Sequence, residues 1–187
     1  MKALTQKEVI SVLRAAKSRR DRCMIVLAYR HGMRTSEVCG LKLADVDMKN
    51  SQLTIRRLKG SLKTTQPLSD HQGEPLLSEK KALRAWLAER GNHPSAYVFT
   101  SQKSGRLNRS QFYRIFYAAA EAAGLPASKR HPHCLKDALG FSLVAAGVDL
   151  ASIRIALGHK NIASTAIYAV PTDEQVGERV ARALASL

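Results

Sequence analysis

Apolar positions along the chain follow two periods, and the switch between them sets the expected order of elements. Thr5 and Glu8 stand at capping-box spacing, and Val9, Ile10, Leu13 and Ala16 continue as one stripe, so a helix starts there. A basic break, Lys17-Ser18-Arg19-Arg20-Asp21, separates it from Cys23–Tyr29. That second run is too apolar for a surface and reads as a buried helix stopped at Gly32. Arg34 stands at the junction, and Thr35-Ser36-Glu37 opens a short helix with hydroxyl caps and an early acid.

From Leu43 the pattern alternates. Asp45 and Asp47 interleave with Val46 and Met48, and Leu53-Thr54-Ile55-Arg56 is rich in β-formers. Thr64–Leu68 can pair back across a Lys59-Gly60-Ser61 turn, with Pro67 tolerated near a strand end or edge. Helical spacing returns over Leu76–Arg90, stopped by Gly91. Tyr97–Thr100 reads as a short strand, and Asn108 caps a helix to Ala123. Ala127–Pro132 is basic and irregular. The remainder reads as His133–Ala146, a helix from Asp149 to Gly158, a short piece capped by Asn161 or Ser164 reaching Tyr168, and a last helix from Pro171. Val176, Val180 and Leu184 stripe that last helix, for packing on its own domain or on a neighbour. The fold class expected is mainly α with a small antiparallel β-sheet (α+β), in one domain over residues 1–187.

Charge narrows the partners. Lys and Arg number 30 against 15 acids, a net charge of +15. Such an excess favours a polyanion. Membrane binding would want a basic amphipathic helix with aromatic anchors, but aromatics are scarce and the basic residues are dispersed. Nucleic acid is the expected partner. Three scattered cysteines, Cys23, Cys39 and Cys134, form no CxxC pair, so neither a zinc site nor a disulfide framework is indicated. The expected compartment is the reducing cytoplasm.

Several residues carry candidate chemistry. Arg34 can fork onto two phosphate oxygens, or simply be a solvated helix-end arginine. Lys59 at the hairpin tip can protonate a leaving oxygen, or be a turn lysine, with Lys63 competing for the role. His133 and Lys136 share a helix face behind Lys129-Arg130-His131-Pro132, where an anion would sit well. Cys134 beside them lacks a nucleophile–base pattern. His159 follows Gly158 at a helix end and either caps it or donates to a phosphate. Tyr168 is either a packing tyrosine or a nucleophile in need of a base or a positive field.

The order of these pieces changes their weight. Gly32-Met33-Arg34-Thr35-Ser36-Glu37, Lys59 in a hairpin, His133-Cys134-Leu135-Lys136, then Leu157-Gly158-His159-Lys160-Asn161-Ile162 ending at Tyr168 resembles the tyrosine recombinase family. The flavour is that of fimbrial-switch invertases and Xer-type and phage integrases. The resemblance implies the catalytic-domain fold of DNA breaking–rejoining enzymes, without the separate N-terminal core-binding domain common in the family. It implies a site-specific recombinase, with Tyr168 attacking the scissile phosphate to form a 3′-phosphotyrosine link. Arg34, His133, Lys136 and His159 would hold the phosphate, Lys59 would protonate the 5′ oxygen, and Glu37 would orient Arg34 from behind. No cofactor, metal or small-molecule substrate is implied. The partner would be double-stranded DNA, bound at synapsis by a homotetramer, in the cytoplasm at the nucleoid.

One position departs from the family pattern, His-x-x-Arg usually followed by His. Here Lys136 and Asp137 follow Leu135. Lysine keeps the charge but loses the bidentate fork. Asp137 is also expected to draw Lys136 off the phosphate. A catalytically weak or inactive DNA-binding relative is therefore the second reading, and type IB topoisomerase activity the third.

Overall fold

Helix α2, Arg19–Arg30, runs through the middle of the protein. Cys23, Met24, Ile25, Val26 and Leu27 are all 0% exposed, so the helix is buried around its whole circumference. Its neighbours are α1 (Gln6–Ala15), α3 (Thr35–Cys39), α4 (Glu79–Arg90), α5 (Arg109–Ala122) and α6 (His133–Ala145). Each large aliphatic buried this way contributes about 1.5–3 kcal/mol relative to exposure. The computed structural model describes residues 3–57, 63–101, 105–169, 180–181 and 184–185. The Lys59 hairpin tip and most of the last helix lie outside them.

Local sequence signals explain most boundaries. Thr5 and Glu8 form the capping box of α1. Gly32 ends the α2 turn at φ +55°, a left-handed conformation that glycine adopts without penalty. Asn108 caps α5 through Ser110 N–H at 3.0 Å. Asp149 caps α7, Leu150–Leu157, through Ser152 N–H at 2.9 Å, and Gly158 ends it at φ +62°. The short α8, Ala163–Ala166, is entered through Asn161, whose side chain accepts from Ala163 N–H at 3.0 Å.

The sheet is antiparallel in the order β1-β2-β3, with β1 Val46–Asp47, β2 Gln52–Ile55 and β3 Thr64–Pro67. Leu53 pairs with Val46 on one side and Gln66 on the other. Leu53 and Ile55 point into the core while Gln52 is exposed, so the strand alternates as its sequence does. Pro67 sits at the end of β3 on the outer strand, where its missing N–H costs no ladder bond. The mainly helical fold with a small antiparallel sheet is the one the sequence implied.

Four local expectations are corrected. The basic segment at residues 17–21 is not a break throughout: Ser18 accepts from Asp21 N–H at 3.1 Å and starts α2 at Arg19. Tyr97–Thr100 forms isolated bridges, Lys42 with Tyr97 and Thr100 with Arg106, because each neighbouring segment pairs with it through a single residue. Leu76 belongs to a 3-10 turn, Pro75–Leu77, before α4 begins at Glu79. No hydroxyl caps α3; Arg34 holds the N-cap position, and the Glu37 carboxylate accepts from its N–H at 2.9 Å.

A smaller apolar cluster lies on the other side of α6. Ile153, Leu157 and Tyr168 form it, with Leu139, Phe141 and Val144 packed against them. It fixes α7 and the segment after α8 against α6. Among the described residues no helix is long and apolar enough to cross a membrane.

Candidate active site

The site is built around a buried carboxylate. Glu37 accepts from Arg34 N–H at 2.9 Å, from Arg34 Nη1 at 2.9 Å, and from Arg57 Nη1 at 3.0 Å. Burial alone would push its pKa up. The Arg34 backbone bond and the Arg57 charge outweigh that and hold the carboxyl below its ordinary range. Glu37 thus pins Arg34 from behind and leaves the arginine side chain 35% exposed at the cleft.

Arg57 was not anticipated. Its side chain is fully buried. Besides Glu37, it donates to the carbonyls of Gly32 at 3.1 Å, His31 at 2.9 Å and Ala156 at 2.6 Å, and to Thr64 Oγ1 at 3.3 Å. One guanidinium therefore ties the α2–α3 junction, the hairpin and the end of α7 together. Gly158 gives it room: a Cβ there would lie 2.6 Å from Arg57 Cδ and Nε. A signal existed in the sequence. Leu53 and Ile55 face inward, and the same alternation carries Arg57 to that face.

Helix α6 brings the next group. His133, at its first turn, has a 65% exposed side chain. Lys136 is only 1% exposed, and its Nζ donates to Leu157 O at 2.5 Å. Burial, then the charges of Arg34 and Arg57, lower its pKa to about 7. The expected pairing of Asp137 with Lys136 is not made. Asp137 Oδ1 instead accepts from the Tyr168 hydroxyl at 3.0 Å and lies 3.7 Å from His133 Nε2. Cys134 is buried, with its pKa pushed up to about 12 by that burial, so it stays an inert thiol.

His159 leaves α7 just after Gly158. Its Nδ1 lies 2.9 Å from the buried Thr165 hydroxyl, a partner sequence reasoning also missed. Burial, then the charges of Lys136 and Arg34, draw its pKa down to about 4. The Tyr168 ring stacks beside His159 at 6.1 Å and meets the Phe141 ring edge at 5.2 Å. Gly140 accommodates it: a Cβ there would lie 2.6–2.7 Å from the Tyr168 ring. Burial, then Asp137, raises the phenol pKa above its ordinary value.

Tyr168 is only 4% exposed, yet it forms part of the wall of an open cleft. It lines a cleft of about 530 Å³ together with Arg34, His133, Lys136, Asp137 and His159. A second cleft of about 1100 Å³ shares Arg34 and His133 and adds Lys42, Arg56, Arg106 and Arg109. Five of the six residues expected to act therefore meet at one opening. The sixth, Lys59, lies outside the described residues. Lys63, its competitor, is exposed at the start of the returning strand.

The profile of the phage integrase family matches residues 2–175. The chain belongs to that family. Among its relatives, the type 1 fimbriae regulatory protein FimB of Escherichia coli K12 is 39% identical over 172 residues, covering 88% of this chain and 82% of FimB. The crystal structure of XerA recombinase superposes with a TM-score of 0.79 at 26% identity, over 96% of this chain. XerH recombinase, solved as a pre-cleavage complex bound to its difH substrate, gives a TM-score of 0.80 at 24% identity. The chain spans 64% of the XerA chain and 54% of the XerH chain. As a tyrosine recombinase relative it has the fold that Tyr168 and Arg34 suggested. It keeps the departure at Lys136 and Asp137.

Proposed function

We propose that the chain is a site-specific DNA recombinase that cuts and rejoins DNA through a 3′-phosphotyrosine intermediate. The observation that carries this reading is the shared cleft of Tyr168, Arg34, His133, Lys136 and His159. A backbone phosphate entering that cleft meets an arginine already oriented by Glu37. Tyr168 Oη attacks phosphorus, and the P–O5′ bond breaks. Arg34, Lys136, His133 and His159 stabilise the charge that builds on the non-bridging oxygens. The departing 5′ oxygen takes its proton from Lys59. The bond energy stays in the phosphotyrosine link, so the reverse attack by a 5′ hydroxyl rejoins a strand without a cofactor.

Lys136 sets the rate in this reading. In the resting protein its amine faces a carbonyl and ionises near neutrality. A phosphate arriving beside it favours the ammonium and draws it toward the cleft. It offers a point charge where the family pattern offers a fork, and loss of one such donor costs about a hundredfold in rate. The partner is double-stranded DNA, its acidic backbone complementary to the Lys42, Arg56, Arg106 and Arg109 cleft. Recombination needs two duplexes, and a homotetramer is the assembly that holds them. Such a substrate places the work in the cytoplasm, at the nucleoid.

A second reading is a DNA-binding relative that does not cut. The commitment of Lys136 Nζ to Leu157 O and of the Tyr168 hydroxyl to Asp137 favours it. One experiment separates the two. Binding sites are selected from a random DNA pool, and the winner is presented as a nicked suicide duplex. A recombinase traps a covalent adduct that Tyr168→Phe abolishes; salt-sensitive binding without an adduct supports the binder. Relaxation of supercoiled plasmid irrespective of sequence would instead mark a topoisomerase.

A further inference from the structure

Asp137 occupies the one position on the Tyr168 hydroxyl that the preceding scheme leaves unused. Its Oδ1 is 3.0 Å from Tyr168 Oη. The ring that carries the hydroxyl is held on three sides, by the Phe141 ring, by the His159 ring, and by α6 at Gly140. With its hydrogen directed at a carboxylate, the phenol oxygen turns its lone pairs elsewhere, and lone pairs are what attack phosphorus.

Other bases near Tyr168 are differently engaged. His159 meets Thr165 through Nδ1, and its ring lies nearly parallel to the tyrosine, at 23°. His133 faces the carboxylate itself, 3.7 Å from Oδ1. The charged or titratable groups around Asp137 are His133, Cys134 and Lys136 on α6, with Arg34, His159, Lys160 and Tyr168 across the cleft. Arg34 and Lys160 are cationic among them, and Lys136 becomes so when a phosphate arrives, which offsets the repulsion between a carboxylate and that phosphate.

We propose that Asp137 is the general base of strand cleavage, accepting the Tyr168 proton as Oη attacks phosphorus. The proposal rests on Tyr168 being the nucleophile. The Oη–H bond breaks and the proton moves to Asp137 Oδ1. The Oη–P bond forms, and the P–O5′ bond breaks with its electron pair on the departing oxygen, which takes the Lys59 proton. Rejoining runs the same transfers backwards, and Asp137 returns the proton to Tyr168.

The test is single-turnover adduct formation on the nicked duplex recovered from the random pool. Asp137→Asn keeps an acceptor oxygen but not its basicity. It slows adduct formation about a hundredfold without weakening DNA binding. Fluorinated tyrosine at position 168, whose phenol ionises near neutral pH, restores most of that loss in the Asn background. Asp137→His keeps a base and retains more activity than Asn. The proposal is overturned if Asp137→Asn cleaves as fast as the parent or faster, which would make the carboxylate a restraint on the hydroxyl. Absence of fluorotyrosine rescue, or equal loss with His and Asn, overturns it too. A parent chain that binds the duplex yet forms no adduct fails the nucleophile reading itself, and this proposal with it. An adduct lost in Tyr168→Phe but untouched by Asp137→Asn fails this proposal alone.

Discussion

Arg57 and Glu37 form a fully buried ion pair, 3.0 Å apart, directly behind the partly exposed side chain of Arg34. Desolvating two charges is costly, and the pair is stable because all five N–H donors of the guanidinium are engaged. Removing one partner strands the other. Arg57→Met is expected to lower stability by about 3–5 kcal/mol, read as a fall in the urea midpoint. Arg57→Lys keeps the charge but cannot reach the Gly32, His31 and Ala156 carbonyls together, and falls between the two. A midpoint unchanged in both variants would remove Arg57 from the account.

Lys136 makes stability depend on pH. Its folded pKa, about 7, lies below the ordinary lysine value. Between the two the unfolded chain holds a proton that the folded chain does not, so stability rises with pH across that window. It is lost again as pH falls from the ordinary lysine value toward 7. Lys136→Met should flatten this slope in urea titrations at pH 7 to 10. A slope identical in both proteins contradicts the burial of this amine.

His159 predicts a second, acid-side effect. Its pKa of about 4 lies below the usual histidine value, so the folded chain resists protonation as pH falls from 6.5 to 4. Stability declines over that interval, and His159→Gln should lessen the decline. Thr165→Val, which removes the hydroxyl at Nδ1, should leave the His159 pKa nearly unchanged, because burial and the neighbouring charges set it. It should instead slow adduct formation by freeing the ring. NMR titration of the imidazole and the adduct assay check the two halves.

Gly140 gives a steric test. A Cβ at this position would overlap the Tyr168 ring at 2.6 Å. Gly140→Ala should cost about 1–3 kcal/mol, as overpacking does, and displace the tyrosine. Adduct formation should then fall at least tenfold, an order-of-magnitude figure for a misplaced reacting group, while DNA binding through the Arg106 and Arg109 cleft persists. Adduct formation at the parent rate would show that the ring is not held against α6.

Much of this architecture was legible from local chemistry. Capping residues Thr5, Asn108 and Asp149, and stops at Gly32, Gly91 and Gly158, act within one turn of the chain, so sequence alone reveals them. The motif order brought Arg34, His133, Lys136, His159 and Tyr168 into view. What local pattern could not reveal was long-range pairing. Arg57 reaches a carbonyl far along the chain at Ala156, and Lys136 turns to Leu157 O rather than outward. Both depend on α7 docking beside the hairpin and α6. Asp137 was expected to meet its neighbour Lys136. On a helix adjacent residues diverge, and its partner came from Tyr168 after α8. Tyr97–Thr100 had strand composition but no neighbour long enough to make it one.

The most direct measurement is mass spectrometry of the trapped protein–DNA adduct after digestion of both components. The account predicts a nucleotide remnant on the peptide that contains Tyr168, esterified through its phenol oxygen. A remnant on another side chain, or tight and specific binding with no remnant at all, would contradict it.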